Sequence, residues 1–89
     1  MEIKINKKGD GYEIEFLEIS KTIMRLISSE LKNLKEVEEA VVLKVHPLYD
    51  NPKVWIKLKE GKPKEALKNA IDNLIEKLEQ VKNFLIESK

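Results

Sequence analysis

The chain has 89 residues, of which 42% are hydrophobic and 37% are charged, and its formal net charge at pH 7 is +1. A chain of this length buries about 60–65% of the surface that its unfolded form exposes, so residues 1–89 are expected to form a single domain. The small net charge gives no general attraction for nucleic acid or anionic membranes. The absence of cysteine excludes disulfides and thiolate metal sites and fits a cytoplasmic location.

The N-terminal segment predicts a β-hairpin. Residues 2–7 alternate strictly between apolar and polar side chains, with Ile3 and Ile5 on one face. Residues 8–11 form a glycine-containing turn, and residues 12–17 alternate again. Two alternating segments joined by a short turn of this kind are typical of a hairpin.

A helix is predicted over residues 20–34, with Ser20 as its N-cap residue. Its apolar side chains recur at spacings of three and four, which is typical of one buried helix face. They are Ile23, Leu26, Ile27, Leu31 and Leu34. Met24 lies beside this stripe, so we expect it to face a partner helix and not the sheet.

Two more strands are predicted in the second half of the chain. Residues 39–46 are rich in β-branched side chains and predict a central strand. Residues 46–52 form a loop with two prolines, and residues 53–59 alternate again. The outward face of this sheet is expected to be polar and solvated. It carries Lys44, Trp55, Lys57 and Lys59.

The last predicted helix, residues 63–88, is the longest element. Its apolar side chains follow a heptad spacing through Leu67, Ile71, Leu74, Leu78, Val81 and Leu85. At about 1.5 Å per residue the helix exceeds its own strands by about 10 Å or more. Its apolar end therefore needs cover from another chain. The alternative is that the helix bends back, or frays after Lys82, and packs on its own hairpin.

The element order β-β-α-β-β-α predicts an α+β fold. We expect a four-stranded antiparallel or mixed sheet with two helices on one face, the second of them long. No apolar run approaches the roughly 18 residues of a membrane-spanning helix. The start of the chain also lacks the apolar core of a signal peptide.

No catalytic motif is present in the sequence. There is no glycine-rich phosphate loop, no nucleophile motif and no paired-histidine zinc motif. A single histidine, His46, cannot supply the three or four ligands that a metal site needs. The residues therefore predict a non-catalytic binding or structural module, with no cofactor and no metal.

Lysines surround an aromatic side chain on the outward sheet face, and this pattern has two interpretations. Lys53, Lys57 and Lys59 around Trp55 could form a platform for nucleic acid. They could equally be a solvated face whose lysines protect a strand from edge pairing. The second interpretation is favoured, because cations on solvated sheet faces are common.

Several segments, in this order and spacing, resemble the archaeal RNA polymerase subunit L family. They are the opening MEIKI, Thr22-Ile23 with Leu26-Ile27 and Leu31, His46-Pro47-Leu48 with Asn51-Pro52, Val54-Trp55-Ile56-Lys57, Pro63 with Glu65-Ala66-Leu67, and Ile75-Glu76-Lys77-Leu78-Glu79. The family usually has Asp-His-Thr before its first helix and Asn three residues later. Here Ser20-Lys21-Thr22 and Arg25 take those places, so only the threonine matches.

The resemblance implies a heterodimer with the D-type RNA polymerase subunit, and this pair serves as the assembly platform for the large catalytic subunits. Nucleotidyl transfer belongs to those large subunits, and this chain would reach DNA only through the complex. The interface residues expected on this basis are Met24, Ile27, Leu78, Val81, Phe84 and Leu85. The alternative is a free-standing module that self-associates through its helices and binds nucleic acid by the Trp55 face.

Overall fold

The computed structural model describes residues 2–44, 46 and 48–87. The elements in chain order are β1 (Glu2–Lys8), β2 (Gly11–Leu17), α1 (Lys21–Asn33), β3 (Val37–Val42), β4 (Lys53–Leu58) and α2 (Pro63–Glu87). The four strands form one antiparallel sheet in the order β1-β2-β4-β3. The α+β fold with a long C-terminal helix is confirmed, and the sheet is antiparallel, not mixed.

The hairpin of β1 and β2 is confirmed in both its strands and its turn. The strands pair from Glu2 with Leu17 to Lys8 with Gly11, which leaves a two-residue turn. Gly9 in that turn has a φ of 61°, a conformation that glycine adopts without steric cost. The hairpin fixes which side chains of β2 face the helices, because a register shift of one residue would turn each of them to the other face.

The third strand lies at the edge of the sheet, so the prediction of a central strand is wrong. β3 pairs only with β4, and it spans residues 37–42 in place of the predicted 39–46. A register shift between Val37 and Glu39 brings the buried Val37 side chain into the core at the start of the strand. A run of β-branched residues suits an edge strand as well as a central one. Val45, from the predicted strand, lies outside the described residues.

The hydrophobic core lies between the sheet and both helices. Its largest fully buried apolar side chains come from α1 and the two central strands. They are Ile14, Phe16, Leu31, Val54 and Ile56. Burying one isoleucine, valine, leucine or phenylalanine side chain completely stabilises the fold by about 1.5–3 kcal/mol. This layer is therefore the main source of stability.

Helix α1 begins as predicted but turns a different face to the core. Ser20 is the N-cap, and its Oγ accepts a hydrogen bond of 3.1 Å from the backbone N–H of Ile23. Met24 is only 3% exposed, so its expected position beside the core is wrong. The buried residues Met24, Ile27, Ser28 and Leu31 fall within an arc of about 100° on a regular helix.

The apolar stripe was misjudged because a serine occupies part of the buried arc. Ser28 is 2% exposed, and its hydroxyl has no hydrogen-bond partner among the described residues. Ile23 and Leu26 are instead 41% and 39% exposed. A face predicted from apolar residues alone leaves out a serine. Ser28 is nevertheless small enough to be buried, so the true buried face of α1 includes it.

Helix α2 is continuous over 25 residues, and its two halves have different surroundings. In the proximal segment, residues 63–74, Ala66, Leu67 and Ala70 are buried. In the distal segment, residues 75–87, every side chain is exposed. The helix therefore runs beyond the sheet as predicted, and it continues past Lys82 to Glu87. None of the helices in the described part of the chain combines the length and apolarity needed to cross a bilayer.

Candidate subunit interface

The distal segment carries a row of large apolar side chains that the rest of the domain covers only in part. The exposed fractions are 48% for Ile75, 54% for Leu78, 55% for Val81, 68% for Phe84, 62% for Leu85 and 57% for Ile86. Leu78, Val81 and Leu85 recur at spacings of three and four, so they lie along one side of the helix. Soluble monomers rarely expose a contiguous apolar surface of this kind, and such surfaces mark interaction sites.

The helix forms here because its sequence favours it throughout. Pro63 stands at the first position, where its missing N–H costs nothing, and Glu65 lies in the first turn. No glycine or proline follows inside the helix. Leucine, lysine and glutamate, which dominate its sequence, are strong helix formers. The distal segment can therefore stay helical beyond the sheet.

Polar contacts join α2 to the rest of the domain just before and just inside the distal segment. Lys77 Nζ lies 2.8 Å from Glu30 Oε2, and the Glu30 side chain is only 9% exposed. About two helical turns earlier, in the proximal segment, Asn69 Nδ2 donates a hydrogen bond to Glu36 Oε2 at 3.1 Å. A carboxylate this enclosed needs a partner, so the ion pair fixes where α2 crosses α1.

Four of the predicted interface residues lie in the distal segment, and two do not. Leu78, Val81, Phe84 and Leu85 are exposed there. Met24 and Ile27, 3% and 2% exposed, belong to the chain's own core.

Four exposed apolar residues on the two helices were not predicted as interface residues. Ile75 and Ile86 extend the distal row, and Ile23 and Leu26 are exposed on α1. The helical period contained a signal for the first two. There was no such signal for Ile23 and Leu26, because the spacing of α1 places both residues in the stripe that was predicted to face the core.

Trp55 of β4 contacts the hairpin of β1 and β2 on the face of the sheet turned away from the helices. Its Nε1 donates a 3.1 Å hydrogen bond to the carbonyl of Lys8. Its ring lies against Gly11, where an added Cβ would come within 2.4 Å of a ring atom. The tryptophan therefore closes the hairpin, and its position next to a glycine is a structural requirement.

Two of the lysines beside Trp55 are paired with carboxylates. Lys57 Nζ lies 3.3 Å from both Asp10 Oδ2 and Glu38 Oε2, and Lys53 Nζ lies 3.6 Å from Glu13 Oε1. The hydrogen bond from Lys57 lowers the pKa of Asp10, and the same hydrogen bond raises the pKa of Lys57. This face is therefore a mixed-charge surface, which counts against the nucleic-acid platform.

His46 has a local role in the loop before β4. Its backbone N–H donates to Asp50 Oδ2 at 2.9 Å, and its Nδ1 accepts from the N–H of Leu48 at 3.1 Å. Its ring packs against Tyr49 at 4.7 Å between centroids. Across the described ranges, no three histidine, cysteine or acidic side chains are grouped as a metal site would require. Pro47, part of the sequence resemblance, lies outside these ranges.

Comparison with known proteins gives one consistent family. Residues 11–83 match the RNA polymerase Rpb3/Rpb11 dimerisation domain. DNA-directed RNA polymerase subunit Rpo11 of Korarchaeum cryptofilum is 40% identical over 67 residues, which cover 74% of this chain and 68% of that protein. The Rpo11 subunits of Thermoplasma acidophilum and Thermoplasma volcanium are 31% and 33% identical over 70 residues, 79% of this chain. The matched region spans 63% of the length of each of these two relatives.

A solved structure agrees with the sequence relatives. The crystal structure of DNA-directed RNA polymerase subunit L from Thermoplasma acidophilum superposes with a TM-score of 0.80 at 25% identity. The superposition covers 98% of this chain and 87% of that one. The shared fold thus extends over β1, which precedes the matched family region.

Proposed function

Because the chain belongs to the RNA polymerase Rpb3/Rpb11 dimerisation-domain family, we propose that it is the L-type (Rpo11) subunit of an archaeal DNA-directed RNA polymerase. In this proposal it pairs with a D-type subunit, and the pair is the platform on which the large catalytic subunits assemble. The chain supplies no catalytic residue, metal or cofactor of its own. It acts in the cytoplasm within the complex and reaches DNA only through its partners.

The distal segment of α2 is the observation that supports this proposal best. Its apolar side chains project beyond the sheet, and Leu78, Val81 and Leu85 form a row that a second helix can cover. Burying each of them against a partner stabilises the pair by roughly 1–2 kcal/mol, since about half of each side chain is already covered. We propose Leu78, Val81, Phe84 and Leu85 as interface residues, together with Ile75 and Ile86.

Co-expression with the D-type subunit of the same archaeon tests the pairing. We expect the two chains to co-purify and to elute from a sizing column as one species with the mass of a 1:1 pair. The double variant Val81→Lys, Leu85→Lys places two charges in the interface and should abolish co-purification. The isolated variant should keep the melting temperature of the parent, because both side chains are more than half exposed.

A matched control separates the apolar row from added charge. Gln80→Lys, Asn83→Lys adds the same charge to the same helix, on the side away from Leu78 and Leu85. This control should still pair with the D-type subunit. The proposal is wrong if both double variants pair equally well. It is also wrong if the chain forms a stable homodimer and has no affinity for the D-type subunit, which would support the free-standing module.

A further inference from the structure

A second candidate surface is a groove at the start of α1, at the end of β3. Its volume is about 330 Å³ and it is open to solvent. We call its apolar lining residues the floor, which are Met24, Val42, Leu43 and Pro52, and its cations the rim, which are Lys21, Arg25 and Lys44. On a regular helix Lys21 and Arg25 lie about 140–180° around α1 from Glu30, which contacts α2. The groove is therefore on the opposite flank of α1 from the helix pair.

Within the described part of the chain, none of Lys21, Arg25 and Lys44 forms an ion pair or a side-chain hydrogen bond. The lysines that do form ion pairs there are Lys53, Lys57 and Lys77. The three rim cations differ from the other unpaired lysines in that they line one groove. The chain carries a net charge of only +1, so this groove concentrates positive charge locally.

The placement of these cations is unfavourable for the isolated helix. Lys21 and Arg25 lie four residues apart, and like charges at this spacing repel by about 0.2–0.5 kcal/mol. They also occupy the first turns of α1, where the helix dipole favours anions, and the first turn contains no acidic residue. An anion bound in the groove would relieve both effects. A local conflict of this kind is expected at functional sites.

The shape of the groove indicates which kind of anion it suits. Its apolar floor, with Val42 41% exposed, offers a place for an apolar side chain. It opens beside β3, whose outer backbone edge has no neighbouring strand in the sheet. An extended peptide satisfies both features, because it can run along a strand edge while placing alternate side chains in pockets. A phosphate backbone would leave the apolar floor unused.

We propose that this groove binds an extended acidic segment of a protein partner. Carboxylates of the segment meet Lys21, Arg25 and Lys44, and one of its apolar side chains rests on Met24, Val42 and Pro52. The site is separate from the distal segment of α2, where we propose that the D-type subunit binds. It does not depend on the identity of that subunit.

An NMR titration of the isotopically labelled full chain tests the proposal, with a synthetic peptide of alternating aspartate and leucine as the probe. We expect saturable shift changes confined to the groove residues. Binding should weaken when the salt concentration rises from about 0.05 M to about 0.5 M, because the rim cations are exposed. The same peptide with lysine in place of aspartate should not bind.

Charge-reversal variants give a sharper test of the same proposal. Lys21→Glu, Arg25→Glu should weaken binding of the aspartate peptide by about tenfold or more and should gain binding of the lysine peptide. The matched control is Lys64→Glu, Lys68→Glu, which reverses two exposed lysines with the same spacing at the start of α2. That control should bind the aspartate peptide like the parent. If the α1 variant fails to fold, Lys44→Glu alone replaces it with the same expected direction.

Three results would overturn the proposal. One is the absence of saturable shifts at the groove. A second is equal binding by the parent and the α1 variant. The third is that single-stranded oligothymidine shifts the groove residues while the aspartate peptide does not, which would make the groove a phosphate site.

Discussion

The two segments of α2 share one helix and one heptad spacing, yet they have opposite surroundings. In the proximal segment Ala66 and Ala70 are at most 1% exposed and Leu67 is 6% exposed. In the distal segment no large apolar side chain is less than 48% exposed. The difference shows that a helical period identifies an apolar face without saying which chain covers it. Our proposal that a partner covers the distal segment rests on lengths, since the helix outruns its own sheet.

The positions beside the heptad seam distinguish the two segments. Alanines at the buried positions of the proximal segment let the helix lie close to the core, because the distance between packed elements depends on the side chains at the contact. Counting in heptads, the distal segment has Gln80 in place of Ala66, and Lys77 and Phe84 in place of Ala70. Those larger side chains do not allow the same close approach to the core.

Truncating one leucine in each segment should give the largest contrast. Leu67→Ala should lower the free energy of unfolding of the isolated chain by about 2–5 kcal/mol, because it removes buried methyl groups and leaves a cavity. Leu85→Ala removes the same atoms from an exposed position and should change it by at most about 0.5 kcal/mol. Denaturant unfolding of both variants measures this. Equal losses would mean that the distal segment packs on its own domain.

The ion pair near the boundary of the two segments should have an intermediate effect. Lys77→Met leaves the enclosed Glu30 carboxylate without its partner and should cost about 1–2 kcal/mol, less than a fully buried pair because Lys77 is 59% exposed. Glu30→Gln in the same background should recover part of the loss. A double-mutant cycle by denaturant unfolding measures the coupling. Lys68→Met is the control, and a similar loss there would show that Glu30 does not depend on Lys77.

The smallest effect is expected for the exposed pair on the outer sheet face, which sets a baseline for contacts outside both segments. Lys57 lowers the pKa of Asp10, so this stability is present above the unfolded pKa of about 3.9 and is lost as the pH falls through the folded pKa. The raised pKa of Lys57 adds stability below about 10.4 that is lost as the pH rises further.

Asp10→Asn checks that baseline. Thermal unfolding should show a slight loss of stability at pH 7 that shrinks in high salt and disappears as the pH falls below the folded pKa of Asp10, where the parent carboxyl is protonated. Lys57 keeps Glu38 as a second partner, which further limits the loss. A large loss that persists below that pKa would mean that Asp10 acts by some means other than its charge.

Much of the fold followed from local pattern in the sequence. The hairpin, the Ser20 cap and the inward faces of β2 and β4 depend on neighbouring residues, so alternation and turn chemistry predicted them. The overrun of α2 followed from element lengths. What remained hidden depends on contacts between distant segments. The edge position of β3 is set by the pairing of β4 with β2. The valines of β3 carry no information about that pairing.

The candidate site was predictable in part for the same reason. The distal residues were identified because no strand is long enough to lie beneath them. Met24 was misplaced because the small Ser28 shares the buried arc, which rotates the face that α1 turns to the core. The role of Trp55 depends on Gly11 and Lys8, more than 40 residues away in the chain. Sequence spacing carries no signal for such a contact.

Amide hydrogen exchange along α2, in the free chain and in the purified pair with the D-type subunit, tests the central claim most directly. The proximal segment should be protected in both samples, because it packs on the chain's own core. The distal segment should exchange rapidly in the free chain and at least about a hundredfold more slowly in the pair, since local opening there would require a partner to be released. Exchange in residues 75–87 that is the same in both samples would contradict the assignment of this segment as the subunit interface.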